Sequence, residues 1–214
     1  MVNERRQTLQ GDRTGYASKG RLVAVVVTHN RLGQLQVTLD HLLLSPRREL
    51  AAVVVVNNGS TDGTAAWLAE HPDNRVHVLR HARNRGGAGG FEAGLRLAMD
   101  WLSADWVVVM DDDARPAPEA LSRFHALPCA SWDAVAAAVY QPDGQICEMN
   151  RPSRNPFWDL RLFWRTMWQG RAGFHLTSAA FEGAQMAVDV ASFVGLFLSR
   201  RAIELAGYPD GRLF

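Results

Sequence analysis

The chain has 214 residues, 47% hydrophobic and 21% charged, with a formal net charge of +1. That size and apolar content suit one substantial domain, or one domain with an appendage, built around a real core. The near-neutral balance excludes bulk attraction to nucleic acid, so any charged partner must be recognised at a local site. No run approaches the roughly 20 apolar residues of a membrane-spanning helix, and the longest candidate, VDVASFVGLFLS, contains Asp189. The opening MVNERRQTLQGDRTGYASKG lacks the apolar core of a secretory signal and reads as a flexible segment over 1–20. Cys129 and Cys147 form no metal-ligand pattern and suit a reducing compartment. The expectation is a cytoplasmic protein, with peripheral contact at the inner face of the cell membrane as an added option.

Four apolar runs then alternate with helical material. LVAVVVT (22–28) is β-branched and uninterrupted, as in a strand buried on both faces. Leu32, Leu35, Leu39, Leu42 and Leu43 follow at helical spacing, with Pro46 as a stop. LAAVVVV (50–56) is a second strand, and Ser60, Thr61 or Asp62 can cap the helix after it. RVHVL (75–79) is a short third strand, the glycine-rich NRGGAGG leads into the helix FEAGLRLAMDWL, and WVVVM (106–110) is the fourth strand. PEALSRFHAL reads as a further short helix. This rhythm predicts a mostly parallel α/β sheet flanked by helices over 21–131. From 132 to 214 it changes to a strand in DAVAAAVY, a turn at QPDGQ, a breaker-rich connection, and then a strand, a helix and a glycine stop in ASFVGLFLSRRAIELAGYPDG.

Ligands of open α/β sheets bind beyond the carboxyl ends of the strands. Four polar stretches fall there: THNR, NNGSTD, RNRGGAGG and DDD. In an extended segment residues i and i+2 face the same way, so Asp111 and Asp113 can converge on one cation while Asp112 points elsewhere. Hard oxygen ligands suit Mg²⁺ or Mn²⁺ bridging a diphosphate, and a solvated turn capping a helix near Pro116 explains the triplet equally well. Gly86, Gly87, Gly89 and Gly90 precede a helix whose N-terminus favours anions, or they form a plain loop. Their place after the third strand argues against a nicotinamide-dependent dehydrogenase. Asn84 can hold a base, a ribose or a phosphate. Asn57 and Asn58 can meet a nucleobase edge or close an Asx turn. Arg31 can contact a phosphate or stack on a base, or be solvated, and His29 reads as structural.

Taken together and in order, VVVTHNR, VVVVNNGSTDGT, RNRGGAGGFEAG and DWVVVMDDDA resemble the nucleotide-binding half of family-two glycosyltransferases with the GT-A, Rossmann-like fold. NRGGAGGF and DDDA are most similar to the galactofuranosyltransferase branch, with rhamnosyltransferases next. The resemblance covers 22–120 well and 188–214 loosely. It implies that Asp111 and Asp113 hold Mn²⁺ or Mg²⁺ on the donor diphosphate. Arg31, Asn57, Asn84, Gly86 and Gly87 would lie against the UDP portion, and Asp112 would face the ribose or donor sugar. Many members have aspartate where this chain has Asn57. The implied reaction inverts the anomeric centre, with a carboxylate base taking the acceptor's proton. In the family that base follows a segment like GYPDGRLF, where this chain ends, so the C-terminal part reads as incomplete. No base is assigned: Asp189, Glu182 and His175 match no motif.

The resemblance implies a UDP-sugar donor, UDP-galactofuranose above all, and a cell-envelope glycan or lipid-linked glycan acceptor. The alternatives are a rhamnosyltransferase using a dTDP-sugar and a truncated, non-catalytic UDP-binding module. FWDLRLFWRTMWQGR (157–171) projects an apolar helical arc of Phe157, Leu160, Phe163, Trp164, Met167 and Trp168, bordered by Arg161 and Arg165. Such a helix can lie on a membrane, meet a lipid-linked acceptor or stack sugars. It can also cover the sheet or pack against a second subunit of a homo-oligomer.

Overall fold

In the computed structural model, residues 19–128, 132–181 and 185–213 are described. The flexible segment expected over 1–20 therefore lies outside them up to residue 18, as do Cys129, Glu182 and Phe214. Six strands form one sheet: β1 (Leu22–Thr28), β2 (Ala52–Asn58), β3 (Val76–His81), β4 (Trp106–Asp111), β5 (Ala134–Ala136) and β6 (Leu196–Ser199). Their spatial order is β3-β2-β1-β4-β6-β5. The β1–β2, β2–β3 and β1–β4 pairs are parallel, and β6 runs antiparallel between β4 and β5. The sheet thus crosses the boundary expected near residue 131, because β5 and β6 come from the later segment.

Both faces are covered, as the continuous apolar strands require. Leu22, Ala24 and Val26 of β1 meet Leu35, Leu39 and Leu42 of α1 (Leu32–Leu43) and Leu121 and Phe124 of α4 (Ala120–Ala126). Val23 and Val25 face the other way, with Phe91 and Leu95 of α3 (Gly86–Arg96) and Ile203 of α6 (Arg200–Ala206). Alternation along one strand therefore feeds two cores. A short α2 (Thr64–Ala69) joins β2 to β3, and α5 (Leu160–Gln169) lies in the long excursion between β5 and β6.

Helix α3 differs from expectation in where it starts. The glycines are its first turns, since it begins at Gly86 and not at Phe91. Close packing explains two of them. A Cβ on Gly94 would lie 2.4 Å from Val25 Cγ1 and 2.9 Å from Val56 Cγ2, and one on Gly90 would lie 2.6 Å from Val27 Cγ1. The strand expected in DAVAAAVY is reduced to three residues, and the described residues of 137–195 are mostly turns and short helical pieces. The QPDGQ turn is present, with Gly144 at φ +84° and the Gln141 N–H donating to Gln145 O at 2.7 Å.

A buried arginine ties the end of α1 to the start of β3. Arg75, 7% exposed, donates to Leu43 O at 2.8 Å, Ser45 O at 2.7 Å and Asp73 Oδ2 at 2.8 Å. The hydrogen bond from the Arg75 side chain is the main reason the Asp73 carboxyl falls from its ordinary 3.8 to about 2. Because the folded value is depressed, this contribution is complete above 3.8 and lost as the pH falls through about 2. Asp73→Asn is expected to lower stability by about 1–2 kcal/mol near neutral pH, with variant and parent converging in acid, as read by urea denaturation across pH. Gly94→Ala is expected to cost about 1–3 kcal/mol through overpacking, measurable as a lower denaturation midpoint.

Candidate functional site

Parallel pairing brings the carboxyl ends of β1 to β4 to one edge. The chain winds outward from β1 in both directions, so the crevice between β1 and β4 is the switch point where ligands of such sheets bind. Register sets the details. Val27 pairs with Asp111, Thr28 with Asn57, and Asn58 with His81, which puts Thr28 beside Asp112.

β4 ends at Asp111, and Asp112 and Asp113 sit in a turn closed by Ala114 N donating to Asp111 O at 3.2 Å, so the alternation expected of an extended segment does not arrange the triplet. Asp111 and Asp113 are exposed, and Asp112 is 4% exposed. Thr28 Oγ1 donates to Asp112 Oδ2 at 2.7 Å, and Thr38 Oγ1, from α1, donates to the Asp112 carbonyl at 2.7 Å. Arg31 Nη1 reaches Asp113 Oδ2 at 2.8 Å and Asp112 Oδ1 at 3.4 Å. The Asp112 carboxylate is thus held by Thr28 and Arg31. Although its side chain reaches solvent, partial withdrawal from water, then the charges of Asp113 and Asp112, push the Asp111 carboxyl up. Burial pushes Asp112 up as well, against the opposing Thr28 hydrogen bond and the Arg31 charge. Negative charge is thus concentrated at the strand end with Arg31 as its cationic neighbour.

Across the edge, Asn58 is the hub of a second network. Its Nδ2 donates to Asn84 Oδ1 at 3.0 Å and Gly86 O at 2.9 Å. Its Oδ1 accepts from Arg85 N at 3.0 Å and lies 3.0 Å from His81 Nδ1. Asn84 Oδ1 also accepts from Gly86 N at 2.8 Å. The amide of Asn58 therefore fixes where α3 begins. Gly59, at φ +76°, permits the approach, since a Cβ there would meet Asn84 N at 2.7 Å. Asn57 is 3% exposed and its Oδ1 accepts from Ser60 N at 3.0 Å, closing the Asx turn. His29 Nδ1 lies 3.0 Å from Asn58 O.

Sequence reasoning did not single out Thr28, Thr38, Asn30 or the second role of Asp62. Asn30, at φ +55°, accepts from Thr61 N at 2.7 Å. Asp62 Oδ2 accepts from Leu32 N at 3.0 Å, capping α1, while Oδ1 accepts from Thr64 Oγ1 at 2.6 Å. Polar residues inside apolar strand and helix patterns were the available signal for the two threonines. Asn30, Arg31, Gln34, Asp62, Asp113 and Arg115 line a shallow groove at the start of α1. Gly87 also faces open space, so packing within the chain does not require a glycine there.

Among the described residues no three Asp, Glu, His or Cys side chains gather to hold a metal by themselves. Asp111 and Asp113 offer two hard carboxylates, which is the protein share typical of Mg²⁺ sites completed by phosphate oxygens and water. The donor set fits such an ion. Asp189 and His175 lie apart, in a cavity with Arg154, Arg161 and Arg165. There Asp189 Oδ2 accepts from Asn155 N at 2.8 Å.

Comparison with known proteins adds to this geometry. The glycosyl transferase family 2 model matches residues 23–188. The chain belongs to glycosyl transferase family 2. It is 33% identical over 192 residues to galactofuranosyltransferase GlfT1 of Mycobacterium tuberculosis, covering 89% of this chain and 59% of that protein. The Mycolicibacterium smegmatis counterpart is 31% identical over 193 residues, covering 89% and 60%. The chain thus spans about 60% of the length of these curated relatives. Mannosyltransferase PcManGT from Pyrobaculum calidifontis, solved with GDP-Man and Mn²⁺, superposes with a TM-score of 0.61 at 22% identity, over 92% of this chain and 49% of its own. S. aureus TarS 1–349 with UDP-GlcNAc gives 0.51 at 22% identity, over 58% and 36%. These likenesses show the GT-A fold.

The family-2 edge holds carboxylates whose ionisation the fold disfavours. The Asp111 value is raised, so its penalty is absent in acid and grows as the pH climbs through the folded value. Asp111→Asn is therefore expected to raise the melting temperature in EDTA near neutral pH, by an amount that the exposure of the side chain keeps small. The gain should vanish in acid, and scanning fluorimetry across pH reads both effects.

Proposed function

We propose that this chain carries the donor-binding half of an inverting glycosyltransferase that transfers galactofuranose from UDP-galactofuranose to a cell-envelope glycan or lipid-linked glycan. The observation that carries this reading is the crevice between β1 and β4. There Asp111 and Asp113 face outward beside Arg31 at the carboxyl edge, in a chain 31–33% identical to galactofuranosyltransferases.

Residues divide into those that touch the donor and those that shape its groove. Asp111 and Asp113 would hold Mn²⁺ or Mg²⁺, and Arg31, paired with Asp113 at 2.8 Å, is the cationic side chain beside them that suits the donor diphosphate. Gly86 and Gly87 open α3, and the first-turn N–H groups there suit a phosphate or ribose oxygen. Asn57, Asn84 and Asp112 act chiefly by position, through the hydrogen bonds that fix the turn after β2, the start of α3 and the aspartate backbone. A bound divalent cation supplies charge neutralisation on the leaving diphosphate. In the transfer, an acceptor oxygen bonds to the anomeric carbon, the bond from that carbon to the phosphate oxygen breaks, and UDP leaves. The acceptor's proton passes to a base that none of the residues named above supplies by motif.

Calorimetric titration of UDP with Mn²⁺, and again with EDTA, tests the donor site on the parent and on Asp113→Ala. Binding should require the metal and weaken at least about tenfold in the variant, a loss of roughly 1.4 kcal/mol. Absence of binding under every condition would remove the reading. A donor comparison then separates UDP-galactofuranose from dTDP-rhamnose, and preference for the latter would reassign the sugar. UDP binding with no turnover of either donor would leave a non-catalytic binding module.

A further inference from the structure

Residues 137–195 hang from the same edge as the aspartates. β5 ends at Ala136 opposite Leu196, the first residue of β6, and Leu196 in turn pairs with Val109 of β4. Helix α5 lies within this excursion, and none of its residues is buried. The reading of α5 as a cover helix on the sheet is thus not met by the described residues, for its neighbours are the adjoining turns 156–158 and 170–173.

Its surface is unusual. Phe157 is 81% exposed, Leu160 73%, Trp164 56%, Met167 66% and Trp168 85%, so large apolar side chains dominate one outward arc. Scattered exposed apolar residues are ordinary, but a contiguous group on one helix marks an interaction surface. On the flank of that arc, Arg154, Arg161 and Arg165 line a cavity with Trp158. No ion pair joins any of these three arginines to a carboxylate among the described residues. The two acids of the cavity are engaged with backbone. Asp159 caps α5 by accepting from Arg161 N at 2.8 Å and Leu162 N at 3.1 Å, and Asp189 accepts from Asn155 N at 2.8 Å.

We infer that α5 docks this chain on an anionic phospholipid bilayer. The aromatic arc enters the headgroup–acyl boundary, and Arg154 and Arg161 meet lipid phosphates beside it. Charge decides the occupant. An apolar arc of Trp, Phe, Leu and Met flanked by arginines is the composition of an interfacial helix, and cationic side chains can keep their heads at the phosphates while their stems lie along apolar surface. A second copy joined through the same face by a twofold perpendicular to α5 would bring the two arginine flanks together. Docking through the excursion that hangs from the carboxyl edge would hold that edge near the lipid surface. The inference stands independently of the donor assignment, because it rests on the surface of α5 and reads lipid instead of nucleotide.

Vesicle cosedimentation tests it, using phosphatidylcholine alone and phosphatidylcholine mixed with phosphatidylglycerol. The parent chain should pellet with the mixed vesicles, remain in the supernatant with neutral ones, and be released by salt. Arg154→Gln with Arg161→Gln should weaken partitioning at least about tenfold, since each basic residue near the surface contributes to lipid attraction. Trp164→Gln with Trp168→Gln should abolish pelleting while leaving the far-ultraviolet spectrum and metal-dependent UDP titration unchanged, because both side chains are exposed. Equal recovery in the supernatant with both vesicle types would overturn the inference. So would a concentration-dependent dimer in ultracentrifugation that the tryptophan pair removes while vesicle binding is unaffected.

Discussion

Parallel pairing of β1 with both β2 and β4 is the constraint on which the rest of the molecule depends. It points the carboxyl ends of four strands to one edge and opens a crevice where the winding reverses. It also obliges both sheet faces to be covered, hence the two cores carried by alternate residues of the same strands. Register then becomes chemistry. With Val27 opposite Asp111, Thr28 stands beside Asp112, and a buried hydroxyl meets a buried carboxylate at 2.7 Å.

The edge uses polar residues in two ways. Asp112, Asn57 and Asn58 are almost fully buried and hydrogen-bonded, as a polar group withdrawn from water must be. They locate the backbone of the aspartate triplet, the turn after β2 and the start of α3. Asp111, Asp113 and Arg31 remain exposed, and their charges are available to a ligand. The raised values of Asp111 and Asp112 are the electrostatic cost of this arrangement. Withdrawal from water is its larger cause and the neighbouring carboxylates the smaller one.

The excursion between β5 and β6 follows a different physical logic. It adds little to either sheet core and presents aromatic and basic side chains outward. This separates the sheet scaffold from a surface segment hung on the same edge. The segment from Gly207 onward returns to the scaffold: Arg96 lies over the Tyr208 ring at 4.2 Å, and a Cβ on Gly89 would come 3.4 Å from Gly211 O.

By itself the sequence determined the four parallel strands and their order of helices, because uninterrupted β-branched runs and leucines at helical spacing admit few other packings. The two-residue period of extended chain led to the expectation that Asp111 and Asp113 share a side, but β4 stops at Asp111 and the other two aspartates lie in a turn, where Arg31 meets both Asp112 and Asp113. Asp112's partners were not legible, since Thr28 and Thr38 lie more than 70 positions away and meet it only through strand register and helix packing. The choice between Asn57 as ligand contact and as turn former was open in the sequence, and burial favoured the turn. The glycines read as a phosphate loop, yet Gly90 and Gly94 answer to the valines of β1 and β2, a contact that exists only once α3 lies on the sheet. Whether the apolar arc of α5 would be covered was likewise undecidable from periodicity, because helical spacing specifies a face but not what lies against it. Among the described residues, nothing packs over that face.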